Sequence, residues 1–266
     1  MSIDHCRFLA IVIFAALTGM GCASQSGPWD KAGWHVTFHD EFNGSALDQA
    51  RWAPRYDDDP TMPANYVLDK GVLHLRLDKD EPPQLKEGKG RVCGIATRGT
   101  AMPFAQQYGL FELRARMPKG SGLCAMFDMV PANTAYNKMR SAGGARDGAN
   151  ESTRIDVIEY LAKDVHANNF TAHYGRDEND EGRESSHVAF PADLSADFHT
   201  YALRWEPEML TWLVDGQEVH RSIKAPKSPF YIRLALFEGG SVWRGPVEQS
   251  GFPKDFEIDY VRVYKK

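Results

Sequence analysis

The chain has 266 residues, of which 42% are hydrophobic and 25% are charged, and its formal net charge at pH 7 is −5. This composition is typical of a globular protein, and the acidic balance argues against a nucleic-acid-binding protein, which usually presents a basic face. The length suits one large β domain once an N-terminal segment is removed. We therefore expect a monomeric domain with no nucleic-acid partner.

The N-terminus, residues 1–24, is predicted to be an export signal and not part of the fold. The apolar stretch Phe8–Leu17 follows a positive charge and is too short to span a bilayer. A small residue precedes Cys22, as in bacterial lipoprotein signals, although Gly19 stands where a large aliphatic residue is usual. Two interpretations follow: lipidation of Cys22 with anchoring at the outer membrane or cell surface, or ordinary cleavage just after Cys22 and release into the periplasm or medium. Both leave an exported domain over residues 25–266.

Alternation of apolar and polar residues predicts β-strands along the rest of the chain. In chain order, the apolar members of the clearest runs are Leu73, Leu75 and Leu77; Phe111, Leu113, Ala115 and Met117; Tyr201, Leu203 and Trp205; Leu210, Trp212 and Val214; and Phe256, Ile258 and Tyr260. Asp215-Gly216 lies between two such runs and predicts a hairpin. Two polar stretches, Pro131–Thr153 and Arg176–His187, are predicted to be surface loops. With no helical period and no repeat, the chain is predicted to be an all-β sandwich or barrel.

Two cysteines, Cys93 and Cys124, follow the signal segment. In an oxidising compartment they could form a disulfide, and the alternative is two small buried residues, which we favour. The histidines and cysteines have no spacing typical of a metal site, and we expect no required cofactor.

An acidic cluster lies at Arg154-Ile155-Asp156-Val157-Ile158-Glu159. Arg154 and Asp156 share one face of a strand, and one β-bulge, with Ile158 as the extra residue, would bring Glu159 to the same face. One interpretation is the carboxylate pair of a glycosidase, which needs a nucleophile and an acid/base. The other is a solvated strand face with an ion pair.

The segments around this cluster have a recognisable order. They are Asp40-Glu41-Phe42-Asn43-Gly44 with Trp52, Tyr108 to Pro118, His173-Tyr174-Gly175, Phe198-His199-Thr200-Tyr201, and Asp259 to Tyr264. Together they make the chain resemble glycoside hydrolase family 16, in its bulged laminarinase, agarase and carrageenase-like branches. The resemblance implies a concanavalin A-like β-jelly-roll sandwich with a carbohydrate cleft on its concave face. It also implies retaining cleavage within β-glucan or galactan chains.

The resemblance implies that Glu159 is the acid/base and Asp156 its helper, while Arg154 stands at the nucleophile position. A guanidinium stays protonated and has no lone pair with which to attack an anomeric carbon. We also expect the cation to lower the pKa of Glu159, which opposes proton donation. One hypothesis is a hydrolase of β-linked polysaccharides with an unusual nucleophile. The alternative is a carbohydrate-binding surface protein that has lost hydrolysis.

Substrate contacts are predicted at several further positions. Where the family commonly has tryptophan, this chain has Cys124 and Asp128, and Trp243 is either a sugar-stacking residue or part of the core. Cationic residues fall in or near the two polar loops: Arg140, Arg146, His166, His173 and Arg176. They either form a cationic rim suited to a sulfated or uronic-acid glycan or are unrelated surface residues, except that the family motif covers His173.

A calcium site is a further implication of the resemblance. Many members of the family hold one calcium ion near the N-terminal signature and the final strand, and Glu41 and Asp259 are the corresponding positions here. Hard cations need several oxygen ligands, including backbone carbonyls. We therefore expect these two carboxylates to be part of the ligand set if a structural calcium is bound.

Overall fold

The computed structural model describes residues 33–56, 64–80, 90–132, 152–175, 181–239 and 244–266, and in them every regular element is a β-strand. The strands are β1 (His35–Asp40), β2 (Tyr66–Asp69), β3 (Val72–Leu77), β4 (Arg91–Ala96), β5 (Gly109–Arg116), β6 (Leu123–Pro131), β7 (Ser152–Leu161), β8 (Ala167–Gly175), β9 (Glu181–Ala189), β10 (His199–Glu206), β11 (Met209–Val214), β12 (Gln217–Ser222), β13 (Phe230–Glu238) and β14 (Lys254–Lys265). In this part of the chain, no helix has the length and apolar character needed to cross a bilayer.

The strands form two antiparallel sheets. The eight-stranded sheet has the order β12-β11-β10-β5-β14-β3-β2, with β1 also paired to β14, and the six-stranded sheet has the order β4-β13-β6-β7-β8-β9. Half of the strand pairings join strands that are not consecutive in the chain, and the pairing of β13 with both β4 and β6 therefore depends on tertiary structure. The prediction of an all-β sandwich is confirmed.

The hydrophobic core lies between the two sheets. In β6, Ala125, Phe127 and Met129 belong to this core, while Cys124, Met126 and Asp128 alternate with them and face the other way. Because successive strand residues point to opposite faces, these three side chains mark the outer face of the six-stranded sheet. The core side chains thereby fix which residues of β7 and β8 lie on that outer face.

The predicted hairpin is confirmed. Asp215 and Gly216 join β11 to β12, and both have positive φ angles, 48° and 76°. Glycine adopts this conformation without a steric penalty and aspartate tolerates it, which explains why this pair makes the turn.

The loop predicted over Arg176–His187 is wrong for residues 181–187, which belong to strand β9, while residues 176–180 lie outside the described residues. The residues alternate between exposed and half-buried along an edge strand, and their polar character on both faces hid the period of two. Strand β9 pairs with β8 and so places Arg183 on the six-stranded sheet, next to His173.

The two cysteines are buried, as favoured from the sequence. Cys93 lies in β4 and Cys124 in β6, on opposite sides of β13, where they pair in register with Leu236 and Phe237. Because β13 lies between them, the two cysteines are two inter-strand distances apart, roughly 10 Å, which is beyond the reach of a disulfide. No bond joins the two thiols.

Candidate active site

A β-bulge in β7 shapes the site, as predicted. Toward β6, Phe127 pairs with Ile158 and Asp128 pairs with Asp156, so the extra residue is Val157 and not Ile158. Both Val157 and Ile158 are buried in the core. The bulge therefore turns two consecutive apolar side chains inward and returns Glu159 to the outer face beside Asp156.

The opposite sheet supports this bulge through Trp212 of β11. The indole Nε1–H of this buried residue donates a hydrogen bond to the backbone carbonyl of Asp156, at 2.9 Å. A bulge leaves backbone groups without ladder partners, and a buried carbonyl needs a donor. Alternation placed Trp212 on an inner face, but nothing in the sequence indicated this bond.

Arg154, Asp156 and His173 form one compact network on the outer face. The guanidinium Nε of Arg154 lies 2.7 Å from Asp156 Oδ1, and Nη2 donates to Oδ2 at 3.2 Å. His173 Nε2 lies 2.7 Å from the same Oδ2 and 2.9 Å from Nη2 of Arg154. Asp156 is fully buried and the Arg154 side chain is 30% exposed, so the guanidinium is held over the carboxylate from the solvent side.

The network keeps Asp156 and Arg154 ionised. Burial disfavours the ionised form of Asp156, but Arg154 and His173 outweigh it and hold the pKa of this carboxyl below its usual value. Burial likewise opposes the charge on Arg154, and Asp156 and Asp128 nevertheless raise its pKa. Arg154 is therefore a permanent cation whose charge Asp156 neutralises.

Glu159 is in a different state. Burial raises its pKa to about 7, helped by the negative charge of Asp156, while Arg154, His173 and Arg183 act in the lowering direction. Arg154 does act to lower the pKa of Glu159, as predicted, but burial, and then the negative charge of Asp156, outweigh it, so the net pKa is raised. Glu159 is half-buried, and its carboxyl group loses its proton as the pH rises through about 7.

A second buried charge pair continues the site across β6 and β13. Arg233 binds Asp128 through Nε and Nη2, and the Tyr56 hydroxyl donates to Asp128 Oδ2 at 3.1 Å. The Tyr56 ring lies over the Arg233 guanidinium at 4.3 Å and meets the edge of Phe237 at 5.0 Å. The family resemblance singles out Asp128, but no local pattern indicates the ring pair Tyr56–Phe237 beside it, because these two residues are far apart in sequence.

Cys124 also lies on this face, near Glu159. Burial first, and then the charge of Glu159, raises the pKa of its thiol. The thiol therefore stays protonated at neutral pH, and it contributes an apolar surface and not a nucleophile.

The other predicted substrate residues have separate outcomes. Arg140, Arg146, Arg176 and Trp243 lie outside the described residues. His166 lies in the turn after β7, where its Nδ1 is 3.0 Å from the Ala192 carbonyl. Of the two described members of this group, His166 and His173, the structure brings His173 into the network with Asp156.

The two predicted calcium ligands both bind arginines. Glu41 forms a two-point contact with Arg262, at 2.9 and 2.7 Å, and Asp259 pairs with Arg114. In the described ranges, no group of three or more His, Cys, Asp or Glu side chains could hold a metal ion. Both carboxylates are thus occupied by arginines in this structure, and the calcium site stays a prediction.

Two antiparallel sheets around one core, with a bulged strand that carries ionisable residues on an outer face, define an all-β sandwich with a candidate active site. The sequence profile described as glycosyl hydrolases family 16 matches residues 62–262, and the chain belongs to this family. Family membership and the jelly-roll fold that the motifs implied are both confirmed.

Three relatives illustrate the family. The chain is 34% identical over 177 residues to a glucan endo-1,3-beta-glucosidase of Cryptopygus antarcticus, covering 59% of this chain and 62% of that protein. It is 28% identical to a beta-glucanase of Rhodothermus marinus, covering 92% and 91% of the two chains. The structure superposes on a GlcNAcα1-4Gal-releasing endo-β-galactosidase from Clostridium perfringens with a TM-score of 0.74 and 25% identity, covering 90% of this chain and 65% of that one. The chain thus spans less than two thirds of the first and third of these proteins.

Proposed function

We propose that this domain acts on the O-glycosidic bonds of a β-linked polysaccharide, a β-glucan or a β-galactan, on the outer face of the six-stranded sheet. Family membership and the named activities of the relatives support this substrate class. The observation that carries the proposal is the position of Glu159 on that face, half-buried beside Asp156, where burial raises its pKa to about 7. A carboxyl group with such a pKa is suited to acid/base catalysis near neutral pH.

In this proposal Glu159 donates its proton to the leaving glycosidic oxygen. Asp156 is the helper: it stays ionised, orients Arg154 and His173, and its negative charge keeps Glu159 protonated to higher pH. Asn169 supports the backbone of the acid, since its side-chain amide donates to the Glu159 carbonyl at 3.0 Å. Removal of Glu159 should therefore abolish the reaction while the sheet remains folded.

Arg154 excludes the family's covalent step at this position. A retaining hydrolase forms a glycosyl–enzyme bond through a carboxylate, and a guanidinium has no lone pair for that bond. Asp156 is fully buried beneath Arg154 and so is not placed to replace it. We infer that any hydrolysis at this site proceeds by direct attack of water on the anomeric carbon as the glycosidic bond breaks. Glu159 gives its proton to the leaving oxygen, the attacking water gives a proton to bulk solvent, and Glu159 is reprotonated from solvent. Without a nucleophilic carboxylate or a base for the water, this reaction should be slow.

The second candidate function is binding without hydrolysis, as a surface glycan receptor. The specific observation in its favour is the tight contact of Arg154 with Asp156, which turns the nucleophile position into a neutralised ion pair. The aromatic pair Tyr56–Phe237 next to the buried Arg233–Asp128 pair offers an apolar surface for sugar binding.

The deciding experiment measures new reducing ends released from laminarin, mixed-linkage glucan, agarose, porphyran and carrageenan by the purified domain. Products that disappear in Glu159→Gln support hydrolysis, and an equal rate in that variant would refute the role of Glu159. If no substrate is cleaved, affinity for the same glycans is measured. Binding without products, together with trace cleavage by Arg154→Glu, would identify a hydrolase that has become a receptor.

We further propose that the domain is exported and that Cys22 is the lipid attachment site, which would anchor it to a membrane. Labelling of the full chain with a fatty-acid analogue tests this, with Cys22→Ser as the control. Label in both proteins, or in neither, would argue against lipidation at Cys22.

We also propose that Arg146, Arg176 and Trp243 contact the substrate, and that a structural calcium lies near Glu41 and Asp259. Alanine variants and unfolding temperatures with and without added calcium test them.

A further inference from the structure

We propose that the ladder row Arg154–His173–Arg183 forms an oxyanion subsite beside Glu159, which binds a sulfate, carboxylate or phosphate group. The proposal deepens the function given above by naming the charge of the ligand, and it rests on that function only for the glycan part of the ligand. Its basis is the geometry of three neighbouring strands.

The three residues are aligned across the sheet. Arg154 of β7 pairs in register with His173 of β8, and His173 pairs with Arg183 of β9. Two strand spacings place the two arginines roughly 10 Å apart at their Cα atoms, with His173 between them. Two long guanidinium side chains at this spacing can both reach one anion that lies over the imidazole ring.

The two arginines of the row differ in how far carboxylates neutralise their charges. Asp156 occupies Nε and Nη2 of Arg154 and also contacts His173, whereas none of the hydrogen bonds or ion pairs among the described residues uses Nη1 of Arg154. Arg183 is exposed and forms no ion pair with any carboxylate in the described ranges. Asp156 therefore neutralises one cation of the row and leaves the charge of Arg183 available.

Neighbouring rows add donors, and among the described residues their carboxylates are Asp156, which is buried and bound by Arg154, and Glu159. Thr171 of β8 and Ser185 of β9 form the next row, with their hydroxyl oxygens 3.0 Å apart, and Asn169 and His187 form the one after it. Glu184 of β9 points to the other side of the strand, where it accepts from Ser222 at 2.6 Å. The outer face of β8 and β9 thus presents donors and a cation to a ligand that reaches Glu159.

Two sources could supply the anion. It could be an ester sulfate or carboxylate carried by the polysaccharide itself, or a free oxyanion held at the position where the family has its nucleophile. Binding of inorganic sulfate and phosphate is measured first, by calorimetry on the folded domain at low ionic strength. Affinity is then compared for a sulfated β-galactan and the same galactan after chemical desulfation.

The expected result is millimolar or tighter binding of the free anions, weakened about tenfold or more in Arg183→Gln. The matched control is Arg221→Gln, an exposed arginine on the edge strand β12 of the other sheet, which should bind as the parent does. A preference for the sulfated galactan that shrinks at 0.5 M salt assigns the anion to the glycan. Equal affinity for both galactans, with free-anion binding intact, assigns the subsite to a free oxyanion.

Absence of anion binding, or unchanged binding in Arg183→Gln, would overturn the subsite. Failure of the function proposed above has a different signature: the anions bind through Arg183, but no β-glucan or β-galactan is bound or cleaved. The two proposals can therefore fail separately.

Discussion

The outer faces of the two sheets both carry arginine–carboxylate pairs, but the pairs differ in their exposure to solvent. On the eight-stranded sheet, Arg114 and Asp259 pair with side chains that are 37% and 33% exposed. On the six-stranded sheet, Arg233 and Asp128 are 2% and 0% exposed. Exposed pairs contribute about 0–1 kcal/mol, whereas buried charges are costly unless every one is matched. Charges kept in buried positions thus indicate a functional face, and solvated pairs indicate an ordinary surface.

The largest difference between the faces should appear when one carboxylate is removed from each. Asp156→Ala leaves Arg154 and His173 without their acceptor, and we expect a loss of about 3–5 kcal/mol in the free energy of unfolding. Asp259→Ala, the matched change on the eight-stranded sheet, should cost about 0–1 kcal/mol. Urea unfolding of both variants measures the difference. Equal losses would contradict the distinction drawn between the two faces, and Asp156→Asn keeps the comparison usable if the alanine variant does not fold.

The second test follows protonation on the six-stranded sheet. Because the pKa of Glu159 is about 7, its proton-donating form is present below that pH and is lost as the pH rises through it. Product release, or the carboxyl resonance in an NMR titration, should therefore change with a midpoint near pH 7. Arg154→Met removes a charge that lowers this pKa, so the midpoint should rise. A midpoint near 4.5 in the parent protein would show that Glu159 is an ordinary solvated carboxylate.

The third test isolates the hydrogen bond beneath the bulge. Trp212→Phe removes the donor to the Asp156 carbonyl, while Trp205→Phe is the control, because the buried Nε1 of Trp205 has no hydrogen-bond partner among the described residues. Both changes reduce ring volume by the same amount. The free energy of unfolding should therefore fall by about 1–2 kcal/mol more for Trp212→Phe than for Trp205→Phe, and this difference measures the contribution of the hydrogen bond. Thermal or urea unfolding gives both values. No excess would mean that the bulge is held without it.

The smallest effect is expected on the solvated face. Arg116→Gln breaks the pair with Glu257, whose side chains are 38% and 19% exposed. The free energy of unfolding should fall by less than about 1 kcal/mol, and less still at high salt, where exposed charges are screened. A loss as large as that of Asp156→Ala would remove the contrast between the two faces.

Much of the fold could be predicted from local pattern. Leu73, Leu75 and Leu77 alternate along β3, and Asp215-Gly216 makes a turn, because period and turn chemistry are properties of neighbouring residues. The stretch that became β9 was missed for the same reason: as a polar edge strand it buries too little on either side to show a period of two.

The sequence by itself determined the all-β class, the bulge and the shared face of Arg154, Asp156 and Glu159, because strand periodicity assigns side chains to faces without any long-range contact. Its ordered motifs, by resemblance, indicated the family. Only the tertiary structure decided the protonation of Glu159 and the pairing of Arg154 with Asp156. The pKa of Glu159 depends on burial and on which carboxylate neutralises Arg154, and Arg183 reaches the site from a strand that no local pattern revealed. Desolvation and pairing between distant strands are three-dimensional properties, and they decide how a charge on this sheet behaves.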